Sequence, residues 1–305
     1  MSNPPNINGY VNLHKPIGIT SMEAVRRIKR HLPKKTKVGH AGTLDPLAEG
    51  VLPICIGSAT RLMEYVVSGT KIYVTQIKLG YVTDTYDAEG TITAVAPNKT
   101  ITLSDIEQTL PIFIGNIHQT PPMYSALKQD GKRLYDLARS GVEVTRPPRP
   151  VHISSIDILE YSYPLLTLSV TCGSGVYIRS LAFDIGNALE CGAYVTSLIR
   201  ARSGAFLISE ATSLPDVQAQ GETPIEYPIH PIDFALQNLP SSQFPDEQAL
   251  KLIQGQTISL AYDLKSLESN DYRAYNSSLE FFGIIRLIDS VWHPLKIFPV
   301  QHTSP

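Results

Sequence analysis

The sequence predicts an α+β fold, in which strands and helices alternate without a regular βα repeat. Segments with strand-like alternation and segments with helical periodicity follow each other irregularly along the 305 residues. The hydrophobic content of 43% is enough for a sizeable core in one large domain or two. Short β-like runs recur beyond residue 240, which indicates a second, small and β-rich unit.

The charge distribution supports two units. Net charge is −2, but residues 1–204 carry 21 Lys and Arg against 16 Asp and Glu, whereas residues 205–305 carry 5 against 12. This asymmetry indicates different partners for the two parts. Residues 211–231 contain four prolines and are interpreted as a linker. The predicted domains are therefore residues 1–232 and residues 233–305.

Composition also excludes several protein classes. There is no run of roughly eighteen apolar residues, so no transmembrane helix is expected, and the polar N-terminus lacks the layout of a signal peptide. Cys55, Cys172 and Cys191 are odd in number and widely spaced, which argues against a disulfide framework or a cysteine zinc site. We expect a cytoplasmic protein without membrane contact or bound metal. Because coiled-coil heptads are absent, we expect a monomer.

The first elements are a strand over residues 9–14 and a helix that begins near Thr20. Thr20 and Glu23 have capping-box spacing, and Met22, Val25, Ile28 and Leu32 form an apolar stripe. Seven basic residues follow within twelve positions, with no acidic residue among them: Arg26, Arg27, Lys29, Arg30, Lys34, Lys35 and Lys37. A solvated helix face and a phosphate-binding stripe both fit this pattern.

Further elements follow in order along the chain. The patterns predict a helix over 58–67, a strand over 71–80, a turn over 84–90, a helix start at Ser104 and Glu107, strands over 151–160 and 165–172, a helix after 173–175, and a strand over 193–200. Residues 119–150 differ, because they are polar and basic and contain two Pro-Pro pairs, with a short helix near Arg133–Arg139. They are interpreted as a long insertion.

The segment GHAGTLDPLAEG, residues 39–50, is the most specific signal in the chain. Its three glycines and Asp-Pro step predict a structured loop without helix or strand. It lacks the lysine and the Ser/Thr of a phosphate loop. His40, Asp45 and Glu49 are too few and too irregularly spaced for a convincing metal site. The pattern alone leaves a structural turn open.

Several long motifs occur in one order: NLHKPIGITS, GHAGTLDPLAEG, KIYVTQIKLG, DTYDAEG, PPMYSALKQDGKRLYDLARSG and GSGVYIRSLAFDIG. Together they resemble the TruB family, the tRNA pseudouridine-55 synthases of bacteria, from about Gly9 to about Gly204. The C-terminal part resembles the PUA-like RNA-binding module of these enzymes. The resemblance implies a mixed, mostly antiparallel sheet with packed helices and an active-site cleft across its middle. It also implies that the insertion is a thumb loop that closes over the tRNA T-loop.

The resemblance implies that uridine 55 of tRNA becomes pseudouridine without a cofactor, with Asp45 as the catalytic carboxylate. Attack on C1′, attack on C6 and deprotonation at C2′ all remain open. Arg179 would keep Asp45 ionised and orient it. Tyr73 would stack on the flipped-out base and is a candidate acceptor of the C5 proton. For these residues the alternative interpretations are a surface arginine and a core tyrosine.

The resemblance also implies residues that bind the substrate. Tyr177 and Leu198 would line the uracil pocket, His40 would contact the RNA loop, and Asp87 would join the polar network of the active site. Ordinary core or turn roles fit the same residues. Lys132 and Arg133 in the insertion would contact RNA phosphates, as would the seven basic residues at positions 26–37.

Three alternative functions compete with a stand-alone synthase. A guide-RNA-dependent synthase shares the catalytic motifs but lacks such a thumb insertion, so no guide RNA is expected. A non-catalytic RNA-binding protein would be favoured by loss of Asp45 or Arg179, and both are present. A glycosidase needs two facing carboxylates, and only Glu49 lies near Asp45 in the sequence.

Overall fold

The computed structural model describes residues 7–95, 100–125, 128–129, 132–133, 144–214, 227–259 and 271–298, with backbone alone at 128–129 and 132–133. Its α-helices are α1 (Ser21–Arg30), α2 (Met63–Ser68), α3 (Leu103–Thr109), α4 (Ile178–Ala188) and α5 (Asp246–Ile253). Short 3-10 helices cover Gly57–Leu62, Leu110–Phe113, Ile208–Glu210 and Phe234–Leu236. No helix in these ranges is long and apolar enough to cross a membrane.

Strands make up most of the remaining regular structure. They are β1 (Gly9–Lys15), β2 (Val38–His40), β3 (Ala48–Ile56), β4 (Lys71–Leu79), β5 (Tyr81–Thr83), β6 (Ile92–Val95), β7 (Gly115–Gln119), β8 (Lys128–Gln129), β9 (Lys132–Arg133), β10 (Arg149–Ser162), β11 (Leu165–Cys172), β12 (Ala193–Ser203), β13 (Phe206–Leu207), β14 (Thr212–Ser213), β15 (Ser241–Gln243), β16 (Ile258–Ser259), β17 (Asp271–Tyr275), β18 (Phe281–Ile288) and β19 (Val291–Ile297).

The main sheet runs in the order β14-β1-β3-β12-β4-β11-β10-β7, with β2 added to β3 and β13 added to β12. The pairs β1–β14 and β3–β12 are parallel, and the other pairs are antiparallel. The predicted α+β class and the mixed, mostly antiparallel sheet are therefore confirmed. Apolar side chains of α1, α3 and α4 join the sheet in one core.

A second sheet, in the order β15-β17-β18-β19-β16, forms the C-terminal unit, as predicted. Phe244, Leu252, Phe282 and Trp292 belong to its own core. A separate apolar cluster joins this unit to the N-terminal part and contains Leu62, Leu236, Ile284 and Phe298. The boundary between residues 232 and 233 stays a prediction.

Several predicted elements differ from the structure in detail. In α1, Met22 is 46% exposed, and the buried stripe contains Ala24 beside Val25 and Ile28. In α3, the capping box is formed by Thr102 and Asp105 rather than by Ser104 and Glu107. The Asp105 carboxylate accepts the Thr102 backbone N–H at 2.7 Å, so the N-cap lies two residues earlier than predicted.

The prediction that residues 39–50 contain no strand is wrong at both ends, because Val38–His40 and Ala48–Ile56 are strands. The glycines that suggested a loop have a packing role here. Gly50 has φ +105°, and a Cβ on it would lie 2.4 Å from the Arg200 carbonyl oxygen. Only a glycine allows β3 and β12 to approach so closely.

The described ends of the predicted linker pair with the first strand. Thr212 and Ser213 are in register with Leu13 and His14 of β1. His230 exchanges two backbone hydrogen bonds with Tyr10, of 2.8 and 3.0 Å. These residues are therefore part of the main sheet edge and not a free connection. The intervening residues 215–226, and most of the helix predicted near Arg133–Arg139, lie outside the described residues.

Helix α4 packs unusually close to the start of β12, because Gly186 has no side chain. A Cβ on Gly186 would lie 2.2 Å from the backbone nitrogen of Ala193. Glycine in a helix interior normally costs about 1 kcal/mol relative to alanine. At this position the close approach reverses that preference.

We therefore predict that Gly186→Ala destabilises the protein by about 2 kcal/mol or more, because the methyl group must displace backbone. Asn187→Ala is the matched control, since Asn187 is exposed in the same helix. It should change the free energy of unfolding by less than about 0.5 kcal/mol. Urea unfolding of both variants provides the measurement, and a Gly186→Ala protein as stable as the parent would contradict the packing account.

Candidate active site

Arg179, in the first turn of α4, bridges two carboxylates. Its Nη2 lies 2.8 Å from Asp45 Oδ2, and its Nη1 lies 3.2 Å from Asp87 Oδ2. Nη2 also donates to the Tyr124 carbonyl at 2.7 Å. The Arg179 and Asp87 side chains are only 4% and 3% exposed, whereas Asp45 is 32% exposed. Asp87 therefore holds Arg179 on its buried side, and the Asp45 carboxylate remains accessible to solvent.

The start of α4 is fixed by Gln119, the last residue of β7. Gln119 Oε1 accepts the Tyr177 backbone N–H at 2.7 Å, and its Nε2 donates to the Tyr177 carbonyl at 3.0 Å. Ser180 Oγ donates to the Thr120 carbonyl at 2.7 Å. These bonds satisfy backbone groups at the helix start and set the direction of Arg179.

The loop that carries Asp45 is held by the start of α1. Ser21 Oγ accepts the Leu44 backbone N–H at 2.8 Å and donates to the Leu44 carbonyl at 2.9 Å. The Gly18 N–H donates to the Pro46 carbonyl at 2.8 Å. The backbone is therefore held on both sides of Asp45, at Leu44 and Pro46, which limits the positions that the Asp45 carboxylate can adopt.

A cavity of about 310 Å³ opens beside the carboxylate. Its lining includes five of the predicted site residues: Asp45, Tyr73, Tyr177, Arg179 and Leu198. His40 and Asp87 are not part of this lining. The volume is within the usual range for small-molecule sites, roughly 300–1,000 Å³. The cavity thus combines one accessible carboxylate with an aromatic and apolar wall.

Both cavity tyrosines remain protonated at neutral pH. Burial raises the pKa of Tyr73, and the nearby positive charge of Arg200 opposes that effect. Burial also raises the pKa of Tyr177. Their rings therefore offer neutral faces and hydroxyl groups to a ligand.

His40 lies in β2, opposite Ile54 of β3, and is half-buried. Burial lowers its pKa, and the positive charge of Arg200 lowers it further. His40 is therefore neutral near pH 7. It can serve a ligand as a hydrogen-bonding group, but it cannot serve as a cation.

Asp87 lies in the predicted turn, where a bridge pairs it with Val195. Burial raises the pKa of Asp87, and its partners oppose the shift. The Thr85 hydroxyl donates to Asp87 Oδ1 at 2.5 Å, and the Glu89 N–H donates to the same oxygen at 3.1 Å. The turn is therefore organised around this carboxylate.

The unpredicted residues at or near the cavity include four with buried polar side chains: Lys71, Gln119, Ser125 and Arg200. Lys71 Nζ donates to the Gly69 carbonyl at 2.6 Å, and burial lowers the pKa of Lys71 to about 8. Lys71 begins the KIYVTQIKLG motif, two residues before Tyr73, so its position in this motif could have identified it as a site residue. Ser125 likewise lies in the PPMYSALKQDGKRLYDLARSG motif, whereas Gln119 acts through a tertiary contact with Tyr177 and lies in none of the motifs.

The basic stripe divides into two parts. Arg26 and Arg27 pair with Glu23 of the preceding turn, at 3.6 and 3.2 Å. In the described part of the chain, the other basic residues have no carboxylate at ion-pair distance, and all are exposed: Lys29, Arg30, Lys34, Lys35 and Lys37. Lys132 and Arg133 form β9, which pairs with β8 in antiparallel orientation, and their side chains are outside the described residues.

The geometry permits nucleophilic or general-base chemistry by one carboxylate. Glu49, the nearest acidic residue in sequence, pairs with His14 at 3.4 Å and does not line the cavity. Among the described residues, no three His, Cys, Asp or Glu side chains are grouped to hold a metal ion. A pair of carboxylates facing each other across the cavity is likewise not found in these residues, which disfavours a glycosidase.

The ion pair between Arg179 and Asp87 predicts a specific pattern of stabilities. Arg179→Met leaves the Asp87 carboxylate buried without its cation, so we expect a loss of about 3 kcal/mol. Adding Asp87→Asn should recover part of this loss, because the uncompensated charge is removed. The loss of stability in Arg179→Met should also shrink as the pH falls from 7 towards 5. The pKa of Asp87 is raised in the folded state, so Asp87 takes up a proton more readily when folded, and this uptake stabilises the folded protein.

Urea unfolding of both single variants and the double variant gives the coupling energy. A double variant that is no more stable than Arg179→Met would show that Asp87 does not depend on the arginine.

Comparisons with known proteins identify the family of the chain. Residues 29–178 match the model for the N-terminal domain of the TruB family pseudouridylate synthases, and residues 179–237 match the tRNA pseudouridylate synthase B C-terminal domain. Among solved structures, an H/ACA RNP bound to a substrate RNA containing 2′-deoxyuridine has a TM-score of 0.71 at 24% identity, covering 97% of this chain and 87% of that one. A Cbf5-Nop10-Gar1 complex gives 0.69 at 26% identity, with coverage of 96% and 84%.

Curated relatives extend the match over nearly the whole chain. The tRNA pseudouridine synthase B of Dehalococcoides mccartyi is 42% identical over 98% of this chain and 99% of its own length. The corresponding proteins of Clostridium acetobutylicum and Nostoc sp. are 42% and 41% identical, over 95% and 96% of this chain and 99% of their own lengths. With these relatives and the family models in agreement, the chain belongs to the TruB family of pseudouridylate synthases.

Proposed function

We propose that this pseudouridine synthase isomerises uridine 55 in the T-loop of tRNA, with Asp45 as its catalytic carboxylate. The observation that carries the proposal is the position of Asp45, which is paired with buried Arg179 and accessible from a cavity walled by Tyr73, Tyr177 and Leu198. The names of the curated relatives support tRNA as the substrate.

The reaction rearranges one nucleoside without loss of atoms. The bond from C1′ to N1 of uracil breaks, the base turns, and a bond from C1′ to C5 forms. The C5 proton moves to an acceptor and N1 takes up a proton, so that the product is an isomer of the substrate. No redox step is involved, and we propose no metal or cofactor. Asp45 acts at C1′, at C6 or on the C2′ proton, each of which an ionised carboxylate can do.

The cavity residues then have defined tasks. The target uridine must leave its stack to reach Asp45, and the rings of Tyr73 and Tyr177 offset part of the lost stacking energy. Leu198 excludes water from the base. Neutral His40 hydrogen-bonds the RNA beside the cavity, and Asp87 holds Arg179 so that Asp45 keeps its orientation.

Binding of the RNA itself is assigned to the exposed cations at and beyond the end of α1 and to the insertion. Phosphate contacts by the basic stripe would position the tRNA without reading its sequence. The insertion starts inside the site, since the Tyr124 carbonyl accepts from Arg179 and Ser125 lines the cavity. We propose that it acts as the thumb loop and that no guide RNA is needed. A monomeric state and a cytoplasmic location stay predictions.

The role of Asp45 predicts that Asp45→Asn abolishes isomerisation while the variant still binds tRNA. Tritium release from a transcript labelled at uridine C5 should fall at least about 10³-fold, because the amide is neither a nucleophile nor a base. The assay includes a metal chelator, and the modified position is mapped.

Glu49→Gln provides the matched control, since this carboxylate pairs with His14 outside the cavity. It should keep release within about threefold of the parent, a change of less than about 1 kcal/mol in the barrier. Tritium release that survives in Asp45→Asn would remove Asp45 as the catalyst. An inactive parent protein that binds tRNA would favour a binding function or a missing guide RNA.

In the basic stripe, we predict that cations without an ion-pair partner contribute more to tRNA binding than the arginines paired with Glu23. Replacing Lys34, Lys35 and Lys37 together by Gln should weaken tRNA binding and lower the slope of log K against log salt, by about 0.7 to 0.9 for each phosphate that the variant no longer neutralises. Arg26→Gln with Arg27→Gln should have a smaller effect, because Glu23 already pairs with both arginines. Filter binding over a salt series measures both, and equal slopes for all proteins would contradict the assignment.

A further inference from the structure

Arg200 is a buried arginine at the centre of the main sheet that the proposed reaction has not used. It lies in β12, opposite Gly50 of β3 and opposite Tyr73 of β4. Its relative exposure is 1%, and it lines the cavity. Arg200 therefore lies between the strand that follows the Asp45 loop and the strand that carries Tyr73.

The guanidinium of Arg200 binds backbone oxygens of the segment that surrounds Asp45. Nε donates to the Val51 carbonyl at 2.7 Å, Nη2 donates to the Gly42 carbonyl at 3.0 Å, and Nη1 approaches the Thr43 carbonyl at 3.4 Å. These acceptors lie on both sides of Asp45 in the sequence. A planar guanidinium can serve all three at once, whereas a lysine ammonium cannot match this spread of directions.

The charge of Arg200 is expensive to bury in this way. Within the described residues, no carboxylate forms an ion pair with it, so its partners are carbonyl dipoles. A buried cation without an anion is retained at a considerable cost in free energy. Apolar packing at this position would be less costly, so a role at the cavity explains the arginine better than stability does.

Arg200 also affects Tyr73 directly. Burial raises the pKa of Tyr73, whereas the charge of Arg200 and a hydrogen-bonding contact from it act in the opposite direction. Arg200 thus acts on two cavity groups, Tyr73 and the loop of Asp45.

We infer that Arg200 is a positioning residue for the isomerisation: it fixes the backbone on both sides of Asp45 and supports the neighbouring strand position of Tyr73, without contacting RNA phosphates. This inference rests on the proposed function, because it assigns a task within the same site. Because the contacts of Arg200 lie inside the protein, we expect its loss to slow the chemical step and to leave tRNA binding unchanged.

The test compares Arg200→Lys, Arg200→Met and Arg200→Ala with Arg202→Met in the full chain. Arg202 lies on the same strand but is exposed, and its Nε donates to the Gly204 carbonyl. Single-turnover tritium release at saturating enzyme reports the chemical step, and filter binding gives the Kd for tRNA. Circular dichroism identifies any variant that does not fold, and Arg200→Lys retains the buried charge if the others fail.

We expect release to fall at least about 100-fold in the Arg200 variants, as for a group misplaced by about 1 Å, with Kd for tRNA unchanged within threefold. Arg202→Met should match the parent. Millimolar guanidinium should restore part of the rate of Arg200→Ala, and urea, which is similar in shape but neutral, should not.

The inference is overturned if folded Arg200→Lys releases tritium as fast as Arg202→Met, or if Kd for tRNA rises by the factor by which release falls. Failure of the proposed function is distinguishable, because then the parent and Arg202→Met would also release no tritium.

Discussion

The site depends on one guanidinium shared by two carboxylates of unequal exposure. Arg179 makes an ion pair with Asp87 on its buried side and another with Asp45 at the cavity. Removing either partner of the buried pair of Arg179 and Asp87 leaves a charge without compensation, so these two groups depend on each other. Because Asp87 already holds the arginine, Asp45 can interact with a substrate and the arginine still keeps its place.

The elements of the fold bring these three groups together. Helix α4 delivers Arg179 because Gly186 lets the helix approach β12 and Gln119 fixes the helix start. The turn around Asp87 is joined to Val195 of the same strand. The central strand β12 thus contacts the helix of Arg179 and the turn of Asp87, and it also carries Arg200 to the loop of Asp45. The geometry of the candidate site and the packing of the sheet are therefore coupled in this protein.

Local patterns in the sequence predicted the strands and the helix cap that depend only on residues close by in the chain. The strand periodicity of β4, β11 and β12 and the Thr20 cap of α1 are local, and all were found. The resemblance added Asp45, Tyr73, Tyr177, Arg179 and Leu198, which the structure brings to one cavity. Arg200 and Gln119 were missed because their partners lie far away in the sequence. Gly39 and Gly50 were misread as loop signals, since only the packed structure shows the side chain and backbone that a Cβ would meet.

The central claim is that a uridine flipped into the cavity meets the Asp45 carboxylate. The most direct measurement is a crystal structure of the protein with a T-arm RNA in which the target uridine is replaced by an uncleavable analogue. The account predicts an unstacked base against Tyr73, with an Asp45 oxygen within about 3.5 Å of C1′, of C6 or of the C2′ hydrogen. A target base that remains stacked in the RNA, or one that lies in the cavity with Asp45 directed away from it, would contradict the account.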